Sequence, residues 1–391
     1  MSTPERAGYV YVRESVALER LIRRLLRASR SVALDIEADS LHSYAEKVCL
    51  VQLSVGGEDF VVDPLSELDF SGLVEVLAGK PLIVHGGDYD LRMLRVWQGF
   101  RPRREVFDTM IAAQLLGIEQ IGLAALVERF LDVTMTKDSQ KSDWSRRPLS
   151  EKQLRYAAND TRHLEALAEC LHGELVERGR VGWHRESCAA MVDATGRDRP
   201  RDGREAWRIK GAGRLTPCQL GYLREAWGWR EERARRADRP TFKVLGNRQL
   251  LELVLWAEAH PGEPLEQGPK LPRDIVGSRR RALRHALDRA AAMTPAEWPE
   301  RIKTPRVHPP PMDQRQFDAL RGECAGIAEA LEIAPSTLAP KAALEAIVQQ
   351  RARTLDEIMA GGGLLRWQAE IVRPAVERAL HGTSDRTGSR A

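Results

Sequence analysis

Cysteines are few in this sequence, and they lie far apart. The 391 residues include five, and no two of them form a Cys-x-x-Cys pair. Structural zinc sites usually need such pairs, and an odd, widely spaced set argues against a disulfide framework. Scattered thiols are typical of a reducing compartment, so we expect a cytoplasmic protein.

Long apolar runs and nucleotide-triphosphate motifs are also missing. No stretch approaches the ~20 apolar residues that cross a bilayer, and the N-terminus lacks the apolar core of a signal peptide. The Gly-x-x-x-x-Gly-Lys-Ser/Thr motif does not occur, which argues against a nucleotide-driven motor. We therefore expect a protein that uses neither a membrane nor a nucleoside triphosphate. A monomer is expected as well, although the sequence leaves the oligomeric state open.

Neither sign of charge dominates the composition. The 60 basic and 56 acidic residues leave a net charge of +4, so a nucleic-acid site would have to come from local clusters of basic side chains. With 43% hydrophobic residues, the chain is long enough for two or three domains with cores of their own.

The segment 32–37, Val-Ala-Leu-Asp-Ile-Glu, is an apolar run that carries two acids. Side chains alternate between faces along a strand, so Asp35 and Glu37 should point the same way, roughly 7 Å apart. Such a pair repels and raises its own pKa unless a cation lies between the carboxylates. All-oxygen ligands favour Mg²⁺ or Mn²⁺, whereas solvated acids at a strand end are the alternative interpretation.

Strand and helix patterns alternate after this segment. Short β-type runs at 51–55, 60–62 and 82–84 are interleaved with helical patterns at about 68–79 and 87–98, and further helices are predicted near 109–117 and 122–132. This alternation is typical of a mixed α/β sheet with flanking helices.

A polar stretch at 134–149 has no period and is predicted to be a loop. Ser150 and Gln153 then form a capping-box pattern at the start of a long helix that should run to about Arg178. Tyr156 and Asp160 are i, i+4 neighbours in its first turns, so a phenol and a carboxylate should project from one helical face.

Three acid-bearing segments together resemble the DEDD family of 3′-to-5′ exonucleases, in the Tyr-containing subgroup. The resemblance covers about residues 8–185. Its motifs are matched, in order, by Asp35-Ile-Glu37, by His85 with Asp90 five residues later, and by Tyr156-Ala-Ala-Asn-Asp160.

The resemblance implies a ribonuclease H-like α/β exonuclease domain that works with two divalent metal ions, Mg²⁺ or Mn²⁺. It implies that Asp35 bridges both ions, that Glu37 and Asp160 complete the first site, and that Asp90 holds the second ion. Tyr156, as a phenol with an ordinary pKa of about 10, would be neutral at pH 7 and would orient the attacking water. These five residues are the predicted catalytic set.

Two later parts of the chain resemble helicase-and-RNase-D C-terminal (HRDC) domains, and the linker and tail are not covered by the resemblance. The resemblance is carried by Leu215-Thr-Pro-Cys-Gln-Leu220 through Phe242-Lys-Val-Leu245, and more weakly by residues 313–380. An exonuclease domain followed by two small all-α domains resembles the bacterial ribonuclease D family. This implies 3′ trimming of tRNA precursors and other structured RNAs, with release of 5′ mononucleotides.

The predicted domain boundaries follow from this order and from two charged, Pro-bearing breaks. They are an exonuclease domain at 1–190, a linker at 191–212, the first HRDC domain at 213–293, a linker at 294–312, the second HRDC-like domain at 313–380 and a disordered tail at 381–391.

Several further residues are candidates for RNA contact, each with an ordinary alternative. His42 and Tyr44 follow the first motif, where a simple turn is the alternative; His85 could be a packed strand-end residue, and Trp144 could pack the loop instead of stacking on a base. A basic cluster could track phosphates or be a solvated helix face; its candidates are Arg235, Arg236, Arg239 and Lys243.

Two functional alternatives remain from the sequence. A DNA exonuclease of the Werner type shares the same three motifs, and a catalytically silent RNA-binding scaffold would share the domain order.

The acids Asp88 and Asp108 are interpreted as N-caps of the helices that follow them, although Asp88 could replace Asp90 as the ligand.

Overall fold

The computed structural model describes residues 8–28, 30–135, 142–197, 205–301 and 312–381. These residues fall into two compact units. Of the described residues, those from 8 to Glu37, those within Val48–Arg197 and 312–381 form the sheet unit, and Ala38–Lys47 and 205–301 form the helical unit. Residues 198–204 and 302–311 of the predicted linkers, 136–141 of the predicted loop and 382–391 of the predicted tail lie outside the described residues.

One six-stranded mixed sheet forms the centre of the sheet unit. Its strands are β1 (Val10–Val12), β2 (Val32–Ala38), β3 (Val48–Val55), β4 (Glu58–Val62), β5 (Leu82–Val84) and β6 (Val106–Asp108), in the spatial order β1-β4-β3-β2-β5-β6. β3 pairs with β4 antiparallel, whereas β2, β5 and β6 run parallel to one another. The predicted mixed sheet is confirmed, and β2 lies near its middle.

Within the described residues up to Arg197, eight helices accompany the sheet in chain order. They are α1 (Ser15–Arg27), α2 (Ser71–Ala78), α3 (Asp88–Gln98), α4 (Thr109–Leu115), α5 (Leu123–Leu131), α6 (Glu151–Arg162), α7 (Leu164–Glu177) and α8 (Val181–Gly196). The prediction of a single long helix that reaches Arg178 is wrong, because the helix breaks at His163. The break lets α6 pack on β3 and β4 while α7 packs on α4, α5 and β5.

The C-terminal helices belong to the sheet unit and share its core. They are α13 (Gln314–Ala330), α14 (Pro335–Leu338), α15 (Lys341–Gln350), α16 (Leu355–Gly362) and α17 (Arg366–His381). Their apolar faces pack in one cluster with those of α4, α5 and α7.

Polar contacts hold these helices in place. The Arg180 guanidinium donates to the carbonyl oxygens of Leu115 at 2.6 Å and Leu331 at 2.5 Å, and Trp183 stacks on Trp367 at 4.7 Å between ring centroids. The Glu186 carboxylate accepts from the first backbone N–H groups of α17. The C-terminal helices are thus fixed to α8 and its neighbours.

The helical unit is built from α9 (Pro217–Arg236), α10 (Thr241–Val244), α11 (Asn247–Ala259) and α12 (Gly277–Ala291). Thr216 caps α9 in a capping box with Gln219, and Pro217 takes the first helical position, where its missing N–H costs nothing. Leu223, Leu253 and Leu287 are completely buried in its core. Across the described ranges, no helix has the length and apolarity needed to cross a membrane.

Candidate active site

The two acids of β2 share one face, as their spacing predicts. Leu34 and Ile36 are buried beneath the strand, while Asp35 and Glu37 face a cavity of about 390 Å³. Tyr156, Asp160 and His85 line the same cavity, so residues from all three sequence motifs meet there.

Tyr156 and Asp160 reach the cavity from the middle and the last turn of α6. The Ser150 hydroxyl accepts from the backbone N–H of Gln153, and the Gln153 side chain accepts from the N–H of Ser150, which fixes the start of the helix. One turn separates the two residues along a single helical face, so the phenol and the carboxylate point together.

The buried ring of Trp144 packs against the ring of Tyr156. Its side chain is 2% exposed, and the two ring centroids lie 6.0 Å apart. Arg147 anchors this loop, because its guanidinium bonds the Asp63 carboxylate at 2.6 and 2.7 Å and also the carbonyl oxygens of Trp144 and Cys49. Trp144 therefore packs the loop, and in this position it offers no face on which a base could stack.

The fourth carboxylate, Asp90, lies in the first turn of α3. It is 7% exposed and close enough to Asp35 for the two charges to repel. Asp88 was predicted to cap this helix, and that prediction is wrong. Gly87 occupies the N-cap position, and no side chain there accepts a hydrogen bond from the first N–H groups of the helix. Asp88 instead points outward, with its side chain 64% exposed, and pairs with Arg92 at 3.2 Å.

Asp108 does more than the capping role predicted for it. Its carboxylate accepts from the N–H groups of Met110 and Ile111 at the start of α4, and also from those of Gly86 and Gly87 at 3.0 and 2.9 Å. The same buried carboxylate thus holds the turn that leads into α3. Only the pairing of β5 with β6, which sets Val84 beside Asp108, could have revealed this second role.

We expect Asp108→Ala to destabilise the fold by about 3 kcal/mol or more, because four backbone N–H groups lose a charged acceptor. Turnover should fall as well, since the turn at Gly86 and Gly87 positions α3. Urea unfolding and initial rates would measure both effects. Asp88→Ala is the matched control, and its exposed position predicts a change within about 0.5 kcal/mol. Equal stability of the two variants would contradict the role given to Asp108.

Burial and mutual repulsion favour protons on the acids of the cavity. Burial raises the pKa of Asp35 to about 7 and, with repulsion from Asp35, that of Asp160 to about 8. Burial and then repulsion from Asp35, Asp160 and Asp90 raise the pKa of Glu37 to about 10. Burial, and then repulsion from Asp35, Asp108 and Asp88, raise the pKa of Asp90 well above its ordinary value. Four carboxylates that resist ionisation together are a set that positive charge would stabilise.

The donor set suits hard divalent cations, since all four acids present oxygen ligands. Within the described ranges, no three Asp, Glu, His or Cys side chains are arranged to hold one ion by themselves. An ion in this cavity would therefore take further oxygens from water or substrate, as Mg²⁺ commonly does.

The raised pKa of Glu37 predicts that metal-free protein loses stability as pH rises. A carboxyl whose pKa is higher in the folded state binds its proton more tightly there, so its cost to stability begins near the unfolded pKa of 4.5 and grows toward about 10. In EDTA at pH 8, we expect Glu37→Gln to raise the free energy of unfolding by about 1–3 kcal/mol. Thermal melts from pH 4 to pH 8 would test this, since the gain should vanish near pH 4. A gain that is the same at every pH would contradict the explanation.

Family models match the two parts of the chain separately. Residues 9–175 match the 3′-5′ exonuclease family, and residues 219–263 match the HRDC domain. The matched fold and the acid-lined cavity define the sheet unit as a domain of the 3′-to-5′ exonuclease class.

Relatives that align over most of the chain identify its family more specifically. Ribonuclease D from Pseudomonas paraeruginosa is 33% identical over 354 residues, which is 87% of this chain and 89% of that protein. The chain therefore belongs to the ribonuclease D family of exoribonucleases. RNase D from Escherichia coli has the same fold, with a TM-score of 0.71 at 23% identity over 96% of this chain and 99% of that one. A protein from Bifidobacterium adolescentis gives a TM-score of 0.77 at 23% identity, over 97% and 99% of the two chains.

The remaining contact candidates lie in the helical unit, where most have protein partners. The Tyr44 ring lies beneath the guanidinium of Arg235 at 5.4 Å, and its hydroxyl donates to Glu231 at 3.0 Å. Arg236 pairs with Glu232, and Arg239 pairs with Asp274 at 3.5 Å. His42 lies in a turn closed by its N–H on the Asp39 carbonyl, and Lys243 is exposed on α10. RNA contact by His42, Tyr44, Arg235, Arg236, Arg239 and Lys243 stays a prediction.

Proposed function

We propose that this protein removes nucleotides from the 3′ ends of tRNA precursors and other structured RNAs and releases 5′ mononucleotides. The observation that carries the proposal is the convergence of Asp35, Glu37 and Asp160 with the Tyr156 phenol at one cavity of an exonuclease-family domain, where the charge of Asp90 also acts on Glu37. The Escherichia coli relative is an exoribonuclease involved in structured RNA processing, which supports this substrate class.

We propose two divalent cations, Mg²⁺ or Mn²⁺, because two such ions would balance the four charges of these carboxylates. Bound ions of this kind would lower the pKa of the attacking water and stabilise the charge that develops on the departing 3′ oxygen. Asp35 lies centrally among the acids, since its charge acts on Glu37, Asp90 and Asp160 alike, and so it is the proposed bridging ligand. Glu37 and Asp160 would complete one site, and Asp90 the other. Because no three of these acids are arranged around one point in the described ranges, their side chains would have to shift when the ions bind.

Tyr156 is proposed to orient the attacking water as a hydrogen-bond donor. Burial, together with the nearby charges of Asp160, Glu37 and Asp35, raises the pKa of its phenol, so it keeps its proton at neutral pH. A neutral phenol cannot take a proton from water, but it can hold the water in place. The packing of Trp144 fixes the ring for this task.

The proposed setting is the cytoplasm, with the protein acting as a monomer. None of the five cysteines, all of which lie in the described ranges, forms a disulfide bond, and this suits a reducing compartment.

Incubation with a 3′-tailed tRNA and a matched single-stranded DNA would test the proposal. With Mg²⁺ or Mn²⁺, we expect the tRNA to shorten from its 3′ end and to release 5′ mononucleotides, and EDTA should stop the reaction. Preferential DNA shortening would favour the Werner-type alternative. RNA binding without cleavage under every metal condition would favour the scaffold.

A further inference from the structure

His85 stands directly after β5 in the wall of the cavity, with one edge of its ring turned into the protein. Its Nδ1 lies 2.9 Å from the hydroxyl of Thr109, a residue with no solvent exposure. The same hydroxyl donates to the carbonyl oxygen of Val84 at 3.1 Å. Three groups are therefore joined in one short chain of hydrogen bonds.

This chain fixes the tautomer of His85. A hydroxyl has a single hydrogen, and a carbonyl oxygen can only accept, so the hydrogen of Thr109 is used on Val84. The bond between Thr109 and His85 must then carry the hydrogen of the imidazole, which places it on Nδ1. In the neutral ring, Nε2 is left with a lone pair.

The edge that carries Nε2 is the one available to the cavity, because Nδ1 is bound to Thr109 on the buried side. Among the residues that the structure describes, none forms a hydrogen bond with Nε2 of His85. Burial lowers the pKa of the imidazole and outweighs the attraction of the Asp108 charge, so the ring is neutral at pH 7. Nε2 therefore offers an acceptor without a protein donor.

We propose that His85 Nε2 accepts a hydrogen bond from a ribose hydroxyl of the 3′-terminal nucleotide, and so acts as a sugar-recognition residue. The inference rests on the proposed function, because it concerns the nucleotide that enters the same cavity. Ionised phosphate oxygens only accept, so they cannot bond an acceptor nitrogen. Base N–H groups differ among the four nucleotides, whereas ribose hydroxyls are present on every RNA residue and donate as well as accept.

A metal-ligand role fits His85 less well. Carboxylate and water oxygens suit Mg²⁺ and Mn²⁺, while imidazole suits softer ions such as Zn²⁺ and Cu²⁺. Asp35, Glu37 and Asp160 already supply oxygen donors at this cavity.

Two substitutions distinguish the role of Nε2 from that of Nδ1. In His85→Asn, the amide nitrogen can replace Nδ1 on Thr109, but nothing replaces Nε2. In His85→Gln, the longer amide places its oxygen close to the position of Nε2 and gives up the inner bond. The substrates are three otherwise identical RNA oligonucleotides that end in a ribonucleotide, a 2′-deoxynucleotide or a 3′-deoxynucleotide. The measured quantity is kcat/KM for removal of that last nucleotide in Mg²⁺.

We expect the wild-type enzyme to prefer the ribonucleotide over one of the deoxy ends by about tenfold. His85→Asn should bring that ratio to within about twofold of one, while His85→Gln should keep most of it. The deoxy end that shows the effect identifies the 2′ or the 3′ hydroxyl as the donor. If the asparagine variant does not fold, retention of the ratio by the glutamine variant supports the proposal and its loss contradicts it.

A merely structural histidine would give a different result. In that case, His85→Asn would lower kcat/KM equally for all three ends and leave the ratio unchanged, which would overturn the inference but not the exonuclease function. A wild-type enzyme that removes no nucleotide from the ribonucleotide-ended RNA would overturn the proposed function itself, and the inference with it.

Discussion

Asp35→Asn is expected to lower turnover by about 10³-fold or more while RNA affinity stays within about twofold of the wild-type value. Asp35 is the acid whose charge acts on each of the other three carboxylates, so its loss should disturb every cation position in the cavity. Cation stabilisation of charge in phosphoryl chemistry is worth several kcal/mol, and each 1.4 kcal/mol is roughly tenfold in rate.

Three measurements would test this expectation together. Single-turnover rates give the chemical step, filter binding in EDTA gives RNA affinity, and calorimetric titration of Mn²⁺ gives the metal affinity that should weaken. Glu75→Gln is a suitable control, because Glu75 is an exposed carboxylate of the same unit that pairs with Arg103 at 2.7 Å. Wild-type Mn²⁺ affinity and turnover in Asp35→Asn would show that β2 is not the metal platform.

Asp90→Asn should reduce turnover by about 10²-fold or more, whereas Asp88→Asn should leave it within about twofold. The two residues lie two positions apart on α3, so their side chains diverge by about 200° around the helix. Only Asp90 is buried beside the other acids, and Asp88 is exposed on the opposite side.

Melting temperatures complete the comparison of these two acids. Asp88 does not cap α3, so its substitution should change stability by less than about 0.5 kcal/mol. Asp90→Asn removes a repelling charge and should not lower the melting temperature in EDTA. Strong loss of turnover in Asp88→Asn with normal turnover in Asp90→Asn would move the site to the exposed residue.

Local periodicity was enough to predict the faces of the site. The period of two placed Asp35 and Glu37 on one side of β2, and the i, i+4 spacing placed Tyr156 and Asp160 on one side of α6. Their meeting at one cavity depends on contacts between segments more than 100 residues apart, which no local pattern encodes. The family motifs supplied that information.

The features that sequence reasoning missed depend on tertiary contacts. Helix α8 buries His184 and Cys188 instead of an aliphatic stripe, so no apolar period marked it, and it spans the predicted boundary at residue 190. The break at His163 separates α6, which packs on β3 and β4, from α7, which packs on β5. The hydrogen bonds from Gly86 and Gly87 to Asp108 require β5 and β6 to be neighbours. Each of these strands has only three residues, so the sequence gives little sign of their pairing.

The shared core of the sheet and the C-terminal helices has a consequence for synthesis on the ribosome. The apolar faces of α4, α5 and α7 are covered by residues between Phe317 and Leu380, which are synthesised later than these helices. At translation rates of about 5–20 residues per second, synthesis from Leu175 to Leu380 takes roughly 10–40 s, and those faces stay uncovered during that time. During that interval the nascent chain carries an uncovered apolar surface, so chains that terminate early should depend on chaperones and aggregate more readily than the finished protein.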